Sequence, residues 1–116
     1  MQARRMERQQ LSLIGDLGPA FRQRLGSMYE GEPQTGTNGL VEMDKTTQIS
    51  REQGMWIYDT CRNVKPKRTL EVGLAYGFST IYFLAAIDRI GTGHHTAIDP
   101  FRRMCGTVWA LSMRSA

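Results

Sequence analysis

Residues 69–80 read T-L-E-V-G-L-A-Y-G-F-S-T, and this stretch decides the fold. Thr69 to Val72 is a short run with strand character that ends at Gly73. A loop containing Gly77 follows, and from Ser79 to Arg89 apolar residues fill nearly every position. That order predicts a strand, a glycine turn and a helix buried on more than one side. Gly91 and Gly93 close the helix, and His95 to Asp99 reads as a second short strand before Pro100. Strand, glycine loop, helix, strand is the βαβ unit of a parallel α/β sheet. Such units present their ligands at the carboxyl ends of the strands, where both the Gly73 loop and Asp99 fall.

Upstream of this unit, Ser50 followed three residues later by Gln53 forms a capping-box pattern. Ile57, Cys61 and Val64 then recur at helical spacing until Pro66, which predicts a helix over about 51–63. Ile14, Leu17, Phe21, Leu25 and Met28 lie at three- and four-residue steps, an apolar helical face that Gly15 and the Gly18–Pro19 pair divide in two. Glu30 to Asn38 is a loop by composition, and Gly39 to Asp44 continues it irregularly. The chain is thus expected to comprise a helical lead-in and loop over 1–38, a core over 39–101 and a tail over 102–116. Trp56, Tyr58 and the seven methionines are read as core.

The 116 residues carry 15 Lys plus Arg against 11 Asp plus Glu, a net charge of +4, with 41% apolar and 22% charged residues. This is the composition of one globular domain. The longest apolar run, Ile81 to Ile87, falls far short of the roughly 20 residues that span a bilayer, so no membrane partner is expected. Leu11 to Ile14 is too short and polar for a secretory core, and Glu7 and Asp16 argue against a transit peptide. Cys61 and Cys105 give neither a metal-ligand spacing nor a disulfide framework, and a reduced, cytoplasmic setting is expected. The excess of positive charge lies in the two ends: residues 1–25 sum to +3, residues 26–99 to −2 and residues 100–116 to +3. That distribution argues against a nucleic-acid face on the core.

The glycine loop excludes two phosphate sites. A P-loop needs GxxxxGK[ST], and no lysine follows Gly77; a dinucleotide fingerprint needs GxGxxG, and Ala75 stands at its second glycine. A ligand with an ammonium, a carboxylate and a ribose fits better. Glu71 would accept from the ammonium, Ser79 and the helix amides would hold the carboxylate, and Asp99, 26 residues after Gly73, would take both ribose hydroxyls. These needs match S-adenosylmethionine. Each residue also has a plain structural reading: a salt bridge for Glu71, a helix cap for Ser79, packing for Gly77 and a turn before Pro100 for Asp99. Tyr76 and Phe78 offer a cation–π surface for a sulfonium or simple packing. His94 and His95 lack a third ligand nearby, so no metal is expected.

Residues 48–101 resemble class I S-adenosylmethionine-dependent methyltransferases, in the branch similar to small-molecule O-methyltransferases. The resemblance rests on I-S-R-E-Q-G at Ile49 to Gly54, on T-L-E-V-G-L-A-Y-G-F-S-T at Thr69 to Thr80 and on H-T-A-I-D-P-F at His95 to Phe101. It implies a Rossmann-like parallel sheet, of which this chain holds the first βαβ unit. Glu71, Gly73, Gly77 and Ser79 would line the methionine end of the cofactor, Asp99 would bind its ribose, and the segment around Ser50 and Gln53 would pack beside it. The implied reaction is transfer of a methyl group to a small-molecule acceptor. No catalytic residue is identified.

A sheet of about seven strands, at roughly 30 residues per βαβ unit, needs on the order of 200 residues, so the chain reads as the N-terminal part of such an enzyme, inactive alone. The resemblance also implies a W-x-G-x-G-L-like continuation after Phe101, whereas R-R-M-C-G-T-V-W-A-L-S-M-R-S-A stands there. With GC-rich codons, R-M-C-G-T-V-W-A-L-S-M-R-S can be encoded so that a shifted frame reads A-D-V-W-H-G-V-G-L-E-H-A-L. Residues from about Arg102 are therefore expected to be an out-of-frame or disordered tail. Two other function classes fit the composition: a non-catalytic nucleotide-binding α/β module, and a fragment that binds RNA or protein through its basic ends.

Overall fold

A computed structural model describes residue 2 and residues 14–36, 39–41, 48–73, 77–99 and 109–115. The first helix, α1, spans Pro19–Tyr29. Pro19 suits the first turn, where its fixed φ is helical and its missing N–H costs no bond. Leu25, Met28 and Tyr29 face inward, joined by Ile14 and Leu17 from the turn before the helix. This is the apolar face expected from the spacing, interrupted at Gly18 as the glycine–proline pair dictates.

Residues 34–41, read from composition as loop, hold a small antiparallel hairpin. Strand β1 (Gln34–Gly36) pairs with β2 (Gly39–Val41), Gln34 opposite Val41 and Gly36 opposite Gly39. Three-residue strands, Q-T-G and G-L-V, are too short to show an apolar alternation, so periodicity cannot find them.

Helix α2 spans Arg51–Val64 and opens with the expected capping box. The Gln53 N–H donates to Ser50 Oγ and the Ser50 N–H to Gln53 Oε1, both at 3.1 Å. It ends at Lys65, which takes a left-handed φ of 53° and donates its N–H to the Cys61 carbonyl before Pro66. The buried face is Gly54, Tyr58 and Cys61, rotated from the Ile57, Cys61 and Val64 face the sequence suggested. Val64 is exposed and Ile57 only half-buried. The cause is the neighbouring helix, because the Tyr82 ring lies where a side chain at Gly54 would begin. Trp56, read as core, is 70% exposed. It stands two residues from both Gly54 and Tyr58, about 200° around the helix, and so faces away from the core.

The βαβ unit comprises β3 (Arg68–Val72), α3 (Phe78–Ile90) and β4 (Gly93–Asp99). Strands β3 and β4 are parallel, in a register that sets Arg68 against His94 and Val72 against Ile98. Helix α3 buries Phe78, Thr80, Tyr82, Ala85, Ala86 and Ile87, more than one side of its surface, because α1, α2 and β4 all pack on it. A small polar chain ties these layers: Tyr82 donates its hydroxyl to Tyr29 Oη, and Tyr29 donates to the Ile49 carbonyl, each at 2.9 Å. Gly91 closes α3 with φ 91° and its N–H on the Ile87 carbonyl.

The segment read as an out-of-frame or disordered tail contributes a third strand, β5 (Trp109–Ser115), which runs antiparallel beside β4 with Asp99 opposite Trp109 and Gly93 opposite Ser115. Residues 102–108 and 116 lie outside the described residues. The sheet order is β3-β4-β5, so the architecture is mixed α/β with one parallel pair, and β3 is an edge. Its outer side chains Leu70 and Val72 are 62% and 73% exposed. No helix among the described residues is long and apolar enough to cross a membrane.

Candidate functional site

The carboxyl ends of β3 and β4 form one rim. Val72 and Ile98 are register partners, and the Gly73 N–H extends the parallel ladder by one bond, donating to the Ile98 carbonyl at 2.7 Å. Gly73 and Asp99, next along their strands, therefore stand side by side in the backbone. Gly73 turns away from the sheet with φ 89°, and Gly77 leads into α3 with φ 90°. Chain neighbours aside, no heavy atom of the described residues lies within 4 Å of where a Cβ would stand on either residue. Glycine is favoured there by the left-handed backbone. Helix α3 begins at this rim with no side chain capping its first amides, which leaves donors for an anion. Residues 74–76, including Tyr76, lie outside the described residues, as does the side chain of Asp99.

Glu71 sits one pleat below the rim and points toward α3, its side chain 9% exposed. Ser79 Oγ donates to its Oε2, while Thr80 Oγ1 and His95 Nε2 address its Oε1, the imidazole at 3.1 Å. His95 Nδ1 lies 2.7 Å from Thr69 Oγ1, and the ring stacks on Phe83 with centroids 4.6 Å apart. The two ring nitrogens of His95 thus join Glu71 to Thr69 on the same strand. Burial alone would push the Glu71 carboxyl up, but the hydrogen bonds from His95, Ser79 and Thr80 together outweigh it and hold the group below its ordinary range.

The residues singled out from sequence thus fall into two sets. Gly73, Gly77 and the backbone of Asp99 share the open rim. Glu71 and Ser79 are bonded to each other beneath it, as the structural reading of Glu71 allows, and they fasten the first turn of α3 to β3. Phe78 is buried and packs against Tyr29 with ring centroids 4.8 Å apart. The Ser50–Gln53 box caps α2. Sequence reasoning passed over Thr80 and His95 as partners of Glu71. The available signal was the buried acid itself, which needs donors from the elements it faces. Among the described residues, no group of three or more His, Cys, Asp or Glu is arranged to hold a metal ion.

A depression of about 1410 Å3 opens at the opposite, amino ends of the strands, among Arg62, Lys65, Lys67, Arg68 and Arg89. It is remote in register from Gly73 and Asp99: Arg68 and His94, which line it, begin the parallel ladder whose far end is the rim. Comparison with known proteins gives no assignment, since no protein-family model, no curated protein and no solved structure matches this chain.

Proposed function

We propose that the rim formed by Gly73, Gly77 and Asp99 binds S-adenosylmethionine and that the chain acts as, or within, a class I methyltransferase on a small-molecule acceptor. The observation that carries this reading is the adjacency of Gly73 and Asp99 at the carboxyl ends of parallel neighbours, with left-handed glycine turns at Gly73 and Gly77. The residues fit the cofactor. Backbone at Gly73 and Gly77 allows close approach of the methionine moiety, the first amides of α3 meet its carboxylate, and Asp99 takes the ribose hydroxyls. Glu71 and Ser79 serve the methionine end by setting the angle at which α3 leaves the loop. Bound there, the cofactor would supply an electrophilic methyl on a sulfonium for transfer to the acceptor's nucleophilic atom. The chain's contribution is positioning and exclusion of water.

The test is isothermal titration of S-adenosylhomocysteine into the full chain, with NAD and ATP titrated in parallel. Saturable one-to-one binding, weakened by about tenfold or more in Asp99→Ala, is expected from loss of the hydrogen bonds of a charged group. Absence of binding, or tighter binding of NAD or ATP, overturns the reading and favours a different nucleotide-binding module.

A further inference from the structure

The βαβ topology gathers a set of charges that the linear sum conceals. Helices α2 and α3 both end where strands β3 and β4 begin, so their last turns and the strand entries share one edge. Five bases, Arg62, Lys65, Lys67, Arg68 and Arg89, meet in the depression there, although the segment 26–99 that holds them sums to −2. The acids Glu52, Glu71 and Asp99 of the same elements lie toward the opposite ends, whereas Asp88 stands in the last turn of α3 beside Arg89. Asp59 lines the depression, and Asp16 bridges Arg62 at 2.9 Å and Arg89 at 3.9 Å. Among the described residues, five cations against these three carboxylates leave an excess of two. The two helix C-termini contribute about half a negative charge each, which offsets only part of it. Lys65, Lys67 and Arg68 form no ion pair among the described residues.

We propose that this depression is a second ligand site, which binds a small molecule bearing two or more phosphate groups. Its volume of about 1410 Å3 exceeds the needs of a single phosphate, and its cations come from both helix ends and a strand entry rather than from one element. Arginine forks and lysine point charges are the usual partners of phosphate oxygens. A nucleic-acid strand fits less well: among the described residues no Phe, Tyr or Trp lines the depression to stack a base, and Asp59 and Asp16 interrupt the basic surface around it. The proposal is independent of the cofactor reading, which concerns the other end of the strands.

The experiment is calorimetric titration of sodium tripolyphosphate, and separately of sodium sulfate, into the full chain at low salt. Saturable binding of tripolyphosphate is expected, with sulfate about tenfold weaker or more. The double substitution Lys67→Ala, Arg68→Ala is expected to weaken tripolyphosphate by about tenfold or more. Lys65→Gly, which suits the left-handed backbone at that position and so preserves the fold, is expected to weaken it by about fivefold. Arg22→Gln with Arg24→Gln removes the same charge outside the depression and is expected to leave binding within about twofold. No saturable binding, equal loss in this control pair, or tighter binding of a single-stranded oligonucleotide than of tripolyphosphate at physiological salt would each overturn the proposal.

Discussion

Replacing Glu71 by Gln keeps the shape of the side chain and removes its charge, which tests the network beneath the rim. The carboxylate accepts from Ser79, Thr80 and His95. In the amide, one oxygen can still face Thr80 and His95, while the NH2 group meets Ser79 as donor against donor unless that hydroxyl turns. Three bonds to a charged acceptor, each worth roughly 1.5–3 kcal/mol, become neutral bonds worth roughly 0.5–1.5 kcal/mol. The loss of about 3 kcal/mol is offset in part because a buried charge no longer has to be desolvated, leaving a net destabilisation of about 2 kcal/mol. For 116 residues this lowers Tm by about 8 °C.

Circular dichroism melts across pH are the assay. The native carboxyl is held below its ordinary value of 4.5. The stability that ionised Glu71 confers is therefore complete above about pH 4.5 and is lost as pH falls through the native value. The gap between parent and E71Q is expected to be full at neutral pH and to narrow in that acid window, where the parent carries a protonated acid. A variant that melts with the parent at neutral pH, or a gap that does not narrow in acid, would refute the reasoning.

Three further substitutions probe the packing that sets the site. Gly54→Ala drives a methyl group into the Tyr82 ring and is expected to lower stability by about 1–3 kcal/mol, read as a drop in the urea midpoint. Tyr29→Phe strands the buried Tyr82 hydroxyl and the Ile49 carbonyl, whereas Tyr82→Phe leaves the Tyr29–Ile49 bond intact; the first is expected to cost about 1–2 kcal/mol more than the second in the same assay. Tyr58 is fully buried, and its hydroxyl has no hydrogen-bond partner among the described residues, so Tyr58→Phe is expected to raise stability by about 1 kcal/mol, and a loss of stability would contradict that account.

What the sequence made legible was local or directional. The Ser50–Gln53 box spans three residues and needs no tertiary partner, so it could be read directly. The βαβ order was legible because glycines bracket an apolar helix between two short strands, and parallel pairing then brings Gly73 beside Asp99. The rotation of α2 was not legible, because Gly54 carries no hydropathy signal and its burial is dictated by Tyr82, 28 residues later. Nor was the engagement of Glu71 by His95, which depends on the register between strands. The basic depression was hidden for a related reason: a sum along the chain mixes charges that the topology sends to opposite ends of the same helices. Strand β5 does carry a signal, since Trp109, Leu111 and Met113 alternate with Ala110, Ser112 and Arg114 at the period of a strand, but that alternation does not name β4 as the partner.

The central claim is that the rim at Gly73 and Asp99 receives the cofactor. Amide chemical shifts of the isotopically labelled chain, followed as S-adenosylhomocysteine is added, test it most directly. The account predicts that the largest shifts fall at Gly73, Gly77 and Asp99 and saturate together. Shifts confined to Lys67, Arg68 and His94, or no saturating shifts at all, would contradict it.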